Sequence, residues 1–214
     1  PKNYIAGELT TLKQKFTHCV FLFLLGFFLY ANSLQNRYVL DDSLFITGNN
    51  FTLKGFAGIK EIWTNDAFVG AHGRAFDLEG GRYRPLAITM FAIEYELFGL
   101  DPFYGHLVNV LLFSFTSVLL YLFLCKLLNF KNAWIPLLTS ILFVIHPIHT
   151  EVVANIKSRD EILAVFFLLS ALLFLLKEKK KFIFLGAGFY FLSLLSKENT
   201  ITALAIIPLL LLIF

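Results

Sequence analysis

Long apolar runs constrain the fold of this chain more than any other feature. A helix that crosses a bilayer needs about 20 predominantly apolar residues, and runs approaching that length recur along the sequence. The chain is 57% hydrophobic and 15% charged, whereas about 25% charged residues is usual for soluble domains. Its 26 phenylalanines exceed what one soluble core of 214 residues needs. The composition therefore predicts an all-α integral membrane protein, a polytopic helix bundle covered by lipid or partner helices.

The apolar runs predict six membrane helices, several of them shorter than a full span. Short helices need flanking polar residues at membrane depth or a thinned, water-filled region beside them. A re-entrant hairpin is the alternative for the third and fourth. The first resembles a signal peptide, but Tyr30–Ser33 makes a poor cleavage site, which favours a retained helix. The predicted helices are Phe16–Ala31, Leu107–Leu128, Trp134–Ile145, Ile162–Leu176, Phe182–Leu195 and Ile201–Phe214.

The domain organisation follows from these helices. Residues 1–15 are predicted as a cytoplasmic N-terminus, 16–32 as the first transmembrane helix and 33–106 as a long extracytoplasmic loop containing short helices. Residues 107–214 hold helices two to six. Because the sequence ends inside an apolar run, we expect it to be the front part of a longer protein.

Two short helices are predicted within the loop. Residues 53–63 have an amphipathic pattern. Residues 85–98 carry apolar side chains at helical spacing, and Gly99 is placed to end that helix. The apolar face of this second helix is expected on the membrane surface or against the bundle. The glycine-containing stretch 66–82 carries no motif that predicts a role.

The placement of lysines predicts the orientation. Lysines concentrate in short cytoplasmic loops, and here they cluster before the first helix, between the second and third, and between the fourth and fifth. These places share one side if the helices alternate. The loop 33–106, residues 146–161 and the Lys197-Glu198 turn then face the periplasm or the lumen of the endoplasmic reticulum. With a net charge of only +3, no nucleic-acid partner is expected. Cys19 and Cys125 lie in apolar runs and are predicted as core residues, not a disulfide.

Two charged clusters are predicted within the long loop. Asp41 and Asp42 follow the first helix, where adjacent carboxylates can act as a general base, bind a metal or simply be solvated. Arg82 and Arg84 precede Pro85 at a helix start, which suits a lipid phosphate or membrane-surface anchoring.

Two further clusters follow the third and fifth predicted helices. Residues 146–151 contain His146, His149 and Glu151, whose residue types ligate zinc, although hydrogen bonding within a site wall is the favoured interpretation. Arg159 could pair with Asp160 or Glu161, or hold a phosphate. Lys197 and Glu198 invite the same two interpretations. Because all four clusters map to one membrane face, we expect a polar cleft there.

The motifs in these clusters resemble the transmembrane and tetratricopeptide-repeat O-mannosyltransferases. The match covers most of residues 30–208, and the order of several motifs makes it specific. The motifs are Tyr30-Ala-Asn-Ser33, Tyr38-Val-Leu-Asp-Asp42, Tyr83-Arg-Pro-Leu86, Phe98-Gly-Leu-Asp-Pro-Phe103, His106-Leu-Val-Asn109, His146-Pro-Ile-His-Thr-Glu151, Ser158-Arg-Asp-Glu-Ile-Leu163 and Lys197-Glu198.

The resemblance implies a C-type glycosyltransferase fold (GT-C) and transfer of a sugar, mannose, from a polyprenyl-phosphate donor to a protein Ser or Thr hydroxyl. The implied partners are the donor lipid, the acceptor protein and membrane lipid. It places the catalytic carboxylate in the first outer loop, with Asp41 as base and Asp42 in support. It implies that the donor phosphate is bound by Arg82, Arg84, Arg159 or Lys197.

The remaining site residues are expected in the wall of the cleft. They are His146, His149, Glu151, Asp160 and Glu198. No cofactor or metal is expected, because phosphate is already a good leaving group.

Two other functions are compatible with the same residues. A transporter or flippase for a lipid-linked substrate also places charges beside short helices. A non-catalytic membrane subunit would tolerate substitution of Asp41 and Arg84. The family's further helices and repeat array are not found in this sequence.

Overall fold

A computed structural model describes residues 2–73, 82–128, 133–177 and 179–213, with side chains from residue 12 onward except at 211 and 213. The described residues exclude Gly80 and Gly81 of the glycine-containing stretch 66–82, Lys131 of the lysines between the second and third predicted helices, and Phe214 at the end of the sixth. Within the described ranges every regular element is helical and no strand is present, as the all-α prediction requires.

The predicted long helices are all present. Trp134–Ile145 has the predicted bounds, and the first helix is longer than predicted because it begins near the N-terminus. The helices are α1 (Lys2–Tyr30), α2 (Ile59–Thr64), α3 (Ala67–His72), α4 (Pro85–Phe98), α5 (Pro102–Leu127), α6 (Trp134–Ile145), α7 (His149–Ala154), α8 (Arg159–Leu175), α9 (Lys180–Ser196) and α10 (Ala203–Ile213).

Within the part of the chain that the structure describes, two helical segments are long and apolar enough to cross a membrane, at Leu12–Gln35 and Pro102–Leu127. Large apolar side chains also face outward, with Phe16, Phe28 and Phe184 each at least 70% exposed. Exposed apolar surface on this scale marks contact with lipid or another protein. Two spans give weak support for membrane association, and the six-helix multi-pass arrangement stays a prediction.

Helix α5 lies at the centre of the bundle and packs against α1, α6 and α8. Small residues allow the close approaches. A Cβ on Gly26 of α1 would stand 3.0 Å from the Ser114 hydroxyl oxygen of α5, and one on Gly105 would stand 2.8 Å from Ile156. Cys19 and Cys125 are free thiols beside the cluster of Leu22, Tyr121 and Leu137. Close packing through small residues is typical of helices that associate in a membrane.

The described parts of the predicted loop, residues 33–73 and 82–106, fold compactly over one end of the bundle. A π-helical turn at Ser43–Thr47, a 3-10 turn at Thr52–Gly58 and α2 to α4 enclose an apolar core. Ile156 and Leu163, at the beginning of the α8 region, complete that core. The segment is therefore fixed on the ends of α5 and α8, where the charged residues gather.

Helix α4 has the predicted bounds, with Pro85 in its first turn and Gly99 ending it at a φ of 68°. Its buried face differs from the predicted apolar face. Ala87, Ile88, Phe91 and Ala92 are buried, whereas Leu97 is 60% exposed. Of the predicted face, Leu86, Met90 and Ile93 are partly buried, and Met90 packs against the same core. Its placement on the membrane surface stays open.

Candidate active site

Arg84 lies at the centre of the charged cluster, immediately before α4. Its guanidinium donates to Glu198 through Nε (3.1 Å) and Nη2 (2.7 Å), and through Nη1 to Asp160 Oδ2 at 2.5 Å. Arg84 is only 6% exposed. Burial opposes its charge, but the bonds to Glu198 and the charge of Asp160 outweigh burial and raise the pKa of Arg84. The same hydrogen bonds lower the pKa of Glu198.

The two acidic partners of Arg84 differ in accessibility. The Asp160 side chain is 2% exposed, while that of Glu198 is 59% exposed. Asp160 also lies 3.7 Å from Lys157 Nζ. An anion could therefore replace Glu198 at the outer edge of Arg84 while Asp160 and Lys157 keep their places.

Lys197 pairs with Glu161 of α8. The pKa of Lys197 is lowered, mainly by burial. Glu161 is 43% exposed in its side chain. This second pair places another cation with an accessible carboxylate partner beside the Arg84 group, since Glu198 follows Lys197 directly.

Arg159 begins α8 and is fully buried. It forms a two-pronged ion pair with Glu94 of α4 and donates through Nε to Asn109 Oδ1 (2.9 Å) and through Nη2 to the Gly105 carbonyl (3.0 Å). Its guanidinium also lies over the Phe91 ring, 4.6 Å from the centroid. Burial raises the pKa of Glu94, with Arg159 opposing that rise.

From the sequence, Arg159 could form an ion pair or hold a phosphate. The structure shows an ion pair, and the partner is Glu94. Asp160 points instead to Arg84, and Glu161 to Lys197. A phosphate at Arg159 would have to break a buried, fully satisfied set of contacts. Lys157, Glu94 and Asn109 were not predicted as site residues, although Asn109 belongs to the motif His106-Leu-Val-Asn109. A carboxylate within the otherwise apolar stretch of α4 was the available signal for Glu94.

The two adjacent aspartates occupy different environments. Asp42 is fully buried, and its carboxylate accepts from the backbone N–H groups of Val39 (2.9 Å) and Lys157 (2.8 Å). Burial raises the pKa of Asp42, and the two backbone bonds oppose the rise. Asp41 is exposed. Asp42 thus ties the turn that carries Asp41 to the chain beside Lys157, which suits the supporting role expected for it.

The turn that precedes Asp41 is strained. Leu40 has a φ of 48°, a left-handed conformation that is unfavourable for leucine, and its side chain is 82% exposed. A conformation of this kind persists only where surrounding contacts hold it, and the two bonds to Asp42 supply that constraint. These bonds therefore constrain the backbone of the turn that carries Asp41.

The histidines lie against the apolar helices rather than at Arg84. His149 contacts the rings of Phe143 and Phe113, with centroids 4.3 and 5.5 Å away, and burial lowers its pKa. His146 Nδ1 accepts from the Ile148 N–H at 3.2 Å. Glu151 is exposed. Among the described residues no group of three His, Cys, Asp or Glu side chains could hold a metal ion.

A groove of about 340 Å³ connects His149 with the charged cluster. It lies between α5, α6, α7 and α8, and its lining includes Phe113, Phe143, Ile162 and Val165 together with Glu161. Its walls are mostly apolar, while Glu161 carries the ion pair with Lys197. The groove therefore extends from an apolar surface to the charged end of the bundle.

Arg82 stands apart from this cluster in its contacts. The Arg82 guanidinium lies 5.5 Å from the centroid of the Phe68 ring, and Arg82 is exposed. The structure thus brings Arg84, Asp160, Glu161, Lys197 and Glu198 together, joins Asp42 to them through Lys157, and places His149 in the adjacent groove.

An all-helical chain with apolar spans and buried ion pairs at one end of them has the features of a membrane protein with a polar site at its surface. The comparisons agree with the sequence resemblance. Protein O-mannosyl-transferase TMTC1 of Homo sapiens is 38% identical over 144 residues, which are 67% of this chain and 16% of that protein. Protein O-mannosyl-transferase tmtc2 of Xenopus laevis is 36% identical over 193 residues, covering 85% of the chain and 22% of that protein.

A third relative, protein O-mannosyl-transferase TMTC3 of Homo sapiens, is 35% identical over 150 residues, or 70% of this chain and 16% of that protein. The suspected family is therefore confirmed, and the chain is a homologue of the transmembrane and tetratricopeptide-repeat O-mannosyltransferases. It spans only about a fifth of their length or less. No family model and no solved structure matches the chain.

Proposed function

We propose that this chain forms the donor-binding and catalytic end of a membrane glycosyltransferase of the GT-C type. The enzyme moves mannose from a polyprenyl-phosphate donor to a Ser or Thr hydroxyl of an acceptor protein. The observation that carries the proposal is the position of Arg84, which is buried on one side by Asp160 and covered on the other by the exposed carboxylate of Glu198. Relatives named protein O-mannosyl-transferases support the reaction class.

The lengths of α5 and α8 support a site at one membrane surface. Gly105 and Lys126 are separated by about 31 Å along α5 at a rise of 1.5 Å per residue. Arg159 and Lys177 are separated by roughly 27 Å along α8 and its C-terminal turn. Both values match the hydrocarbon thickness of about 30 Å. Since the lysines favour the cytoplasm, the arginine end faces the periplasm or lumen of a multi-pass protein.

The donor phosphate binds at the outer edge of Arg84. Arginine presents two parallel N–H groups that suit a phosphate as well as a carboxylate, so the phosphate replaces Glu198 there. Lys197 lies next in sequence and supplies a second positive charge. The isoprenoid chain lies in the adjacent groove beside Ile162 and Val165, where apolar walls cover it.

Asp41 acts as the general base. It takes the proton of the acceptor hydroxyl as that oxygen forms a bond to the anomeric carbon. The bond from that carbon to the phosphate oxygen breaks, and its electron pair leaves with the phosphate, through a transition state of oxocarbenium character. Arg84 and Lys197 stabilise the departing charge. Asp42 holds the turn that positions Asp41.

The test is transfer of isotopically labelled mannose by the purified natural protein that contains this chain. We expect Asp41→Asn to reduce transfer by about 10²-fold or more, the range of a positioned general base. The control is Asp66→Asn, because Asp66 caps α3 and asparagine caps helices equally well. Undiminished transfer by Asp41→Asn would remove Asp41 from the base role. Substrate movement across vesicles without transfer would favour a transporter instead.

A further inference from the structure

A second groove lies at the opposite end of α5 and α8 from the arginine cluster. Its volume is about 390 Å³, within the range of about 300–1,000 Å³ that is usual for small-molecule sites. Leu119, Leu122 and Leu173 form its apolar wall. Lys126 and Lys177 stand at its edge, one at the end of each helix.

The two lysines are both exposed. No described acidic residue forms an ion pair with either of them. Lys177 has a defined position, because its Nζ lies 4.7 Å from the centroid of the Phe174 ring and 4.5 Å from that of Phe182. Phe174 also lines the groove. The ammonium is thus held at the rim of an apolar cavity.

We propose that this groove binds one anionic phospholipid. The acyl chain lies against the leucines and Phe174, and the headgroup phosphate lies between Lys126 and Lys177. Charge complementarity selects this occupant, since two exposed lysines beside an apolar wall match a phosphate joined to a hydrocarbon chain. A basic pocket between helices on the lysine-rich side is the arrangement that recognises anionic headgroups.

This proposal is independent of the transferase reaction, because the groove lies about one hydrocarbon thickness away from Arg84. The bound lipid would fill the space between α5 and α8, the two helices whose opposite ends hold the site. Anionic phospholipid in the membrane would then stabilise the lysine-rich end of the bundle.

The experiment is lipid titration of the purified natural protein by native mass spectrometry, with phosphatidylglycerol and phosphatidylcholine of equal chain length. Each lysine near a phosphate contributes about fivefold. We therefore expect phosphatidylglycerol to bind at least tenfold more tightly than phosphatidylcholine. The double variant Lys126→Gln, Lys177→Gln should bring the two affinities within about threefold of each other.

Two matched variants separate the groove from general surface charge. The pair Lys179→Gln, Lys180→Gln removes the same charge from exposed neighbours outside the groove, and should change neither affinity by more than about twofold. Leu173→Trp fills the groove and should weaken binding of both lipids. The proposal is overturned if the control pair lowers phosphatidylglycerol binding as much as the groove pair, or if Leu173→Trp has no effect.

Discussion

Arg84 and Arg159 are both buried arginines at the start of a helix, yet their surroundings are opposite. Arg159 is fully buried, and its partner Glu94 is 16% exposed in the side chain. Arg84 has two acidic partners. The Asp160 side chain is buried, whereas the Glu198 side chain is 59% exposed. The comparison teaches that an arginine whose partners are all largely buried stabilises the fold. An arginine with one exposed carboxylate partner can release that partner and bind a ligand instead.

The largest effect is expected when the closed pair is broken. Arg159→Met leaves Glu94 buried without its countercharge, and this should lower the free energy of unfolding by about 3–5 kcal/mol. Thermal unfolding of the purified protein measures the change. The double variant Arg159→Met, Glu94→Met should recover most of the loss, because apolar residues of similar volume replace a buried pair at little cost. A mild effect of Arg159→Met would contradict the structural role.

The next largest effect is expected on ligand binding at Arg84. Arg84→Met should weaken binding of polyprenyl phosphate by roughly 10–100-fold, because charge-assisted hydrogen bonds are worth about 1.5–3 kcal/mol. Binding to the purified protein is measured by isothermal titration. Arg84→Lys is the matched variant, which keeps the charge but loses the paired N–H groups and should bind at an intermediate affinity. Equal binding by all three proteins would place the phosphate elsewhere.

A smaller effect of opposite sign is expected at Glu198. Glu198→Gln removes the carboxylate that competes with the phosphate for Arg84, so donor KM should fall a few-fold. Stability should change by no more than about 1 kcal/mol, since the Glu198 side chain is largely exposed. Steady-state kinetics over a donor series measures KM. A rise in KM would mean that Glu198 supports donor binding rather than competing with it.

The smallest effect is the dependence of stability on acid. Arg84 lowers the pKa of Glu198, so the ionised carboxylate stabilises the folded state. That contribution is fully present above the ordinary glutamate pKa of about 4.3 and is lost as pH falls through the lowered value. Glu198→Gln should therefore flatten this part of the unfolding profile. Superimposable profiles of Glu198→Gln and the unsubstituted protein would contradict the pairing.

Local signals predicted the helices well. Pro85 and Gly99 delimit α4, and the apolar run of α6 has the predicted bounds. Such signals act within a few residues, so periodicity and capping carry them. The number of helices that cross the membrane could not be predicted in this way. Among the described residues, two helices are long and apolar enough to cross, and the same criteria do not decide the shorter ones.

The partners within the site could not be predicted in the same way. Arg159 pairs with Glu94, 65 positions away, although two nearer acids follow it in sequence. Asp160 and Glu161 lie on other faces of the first turn of α8 and meet Arg84 and Lys197 instead. Only the packing of α4 against α8 decides between these pairings. The environments of Asp41 and Asp42 also depend on the turn at Leu40, for which a leucine gives no local signal.

The most direct test of the transferase account is detection of hexose on Ser or Thr of an acceptor protein by mass spectrometry. The natural protein and its Arg84→Met variant are compared in the same membrane preparation, with equal amounts of folded protein. The account predicts hexose on the acceptor with the unsubstituted protein and little or none with Arg84→Met. Equal modification by both proteins, or none by either when donor and acceptor are supplied, would contradict it.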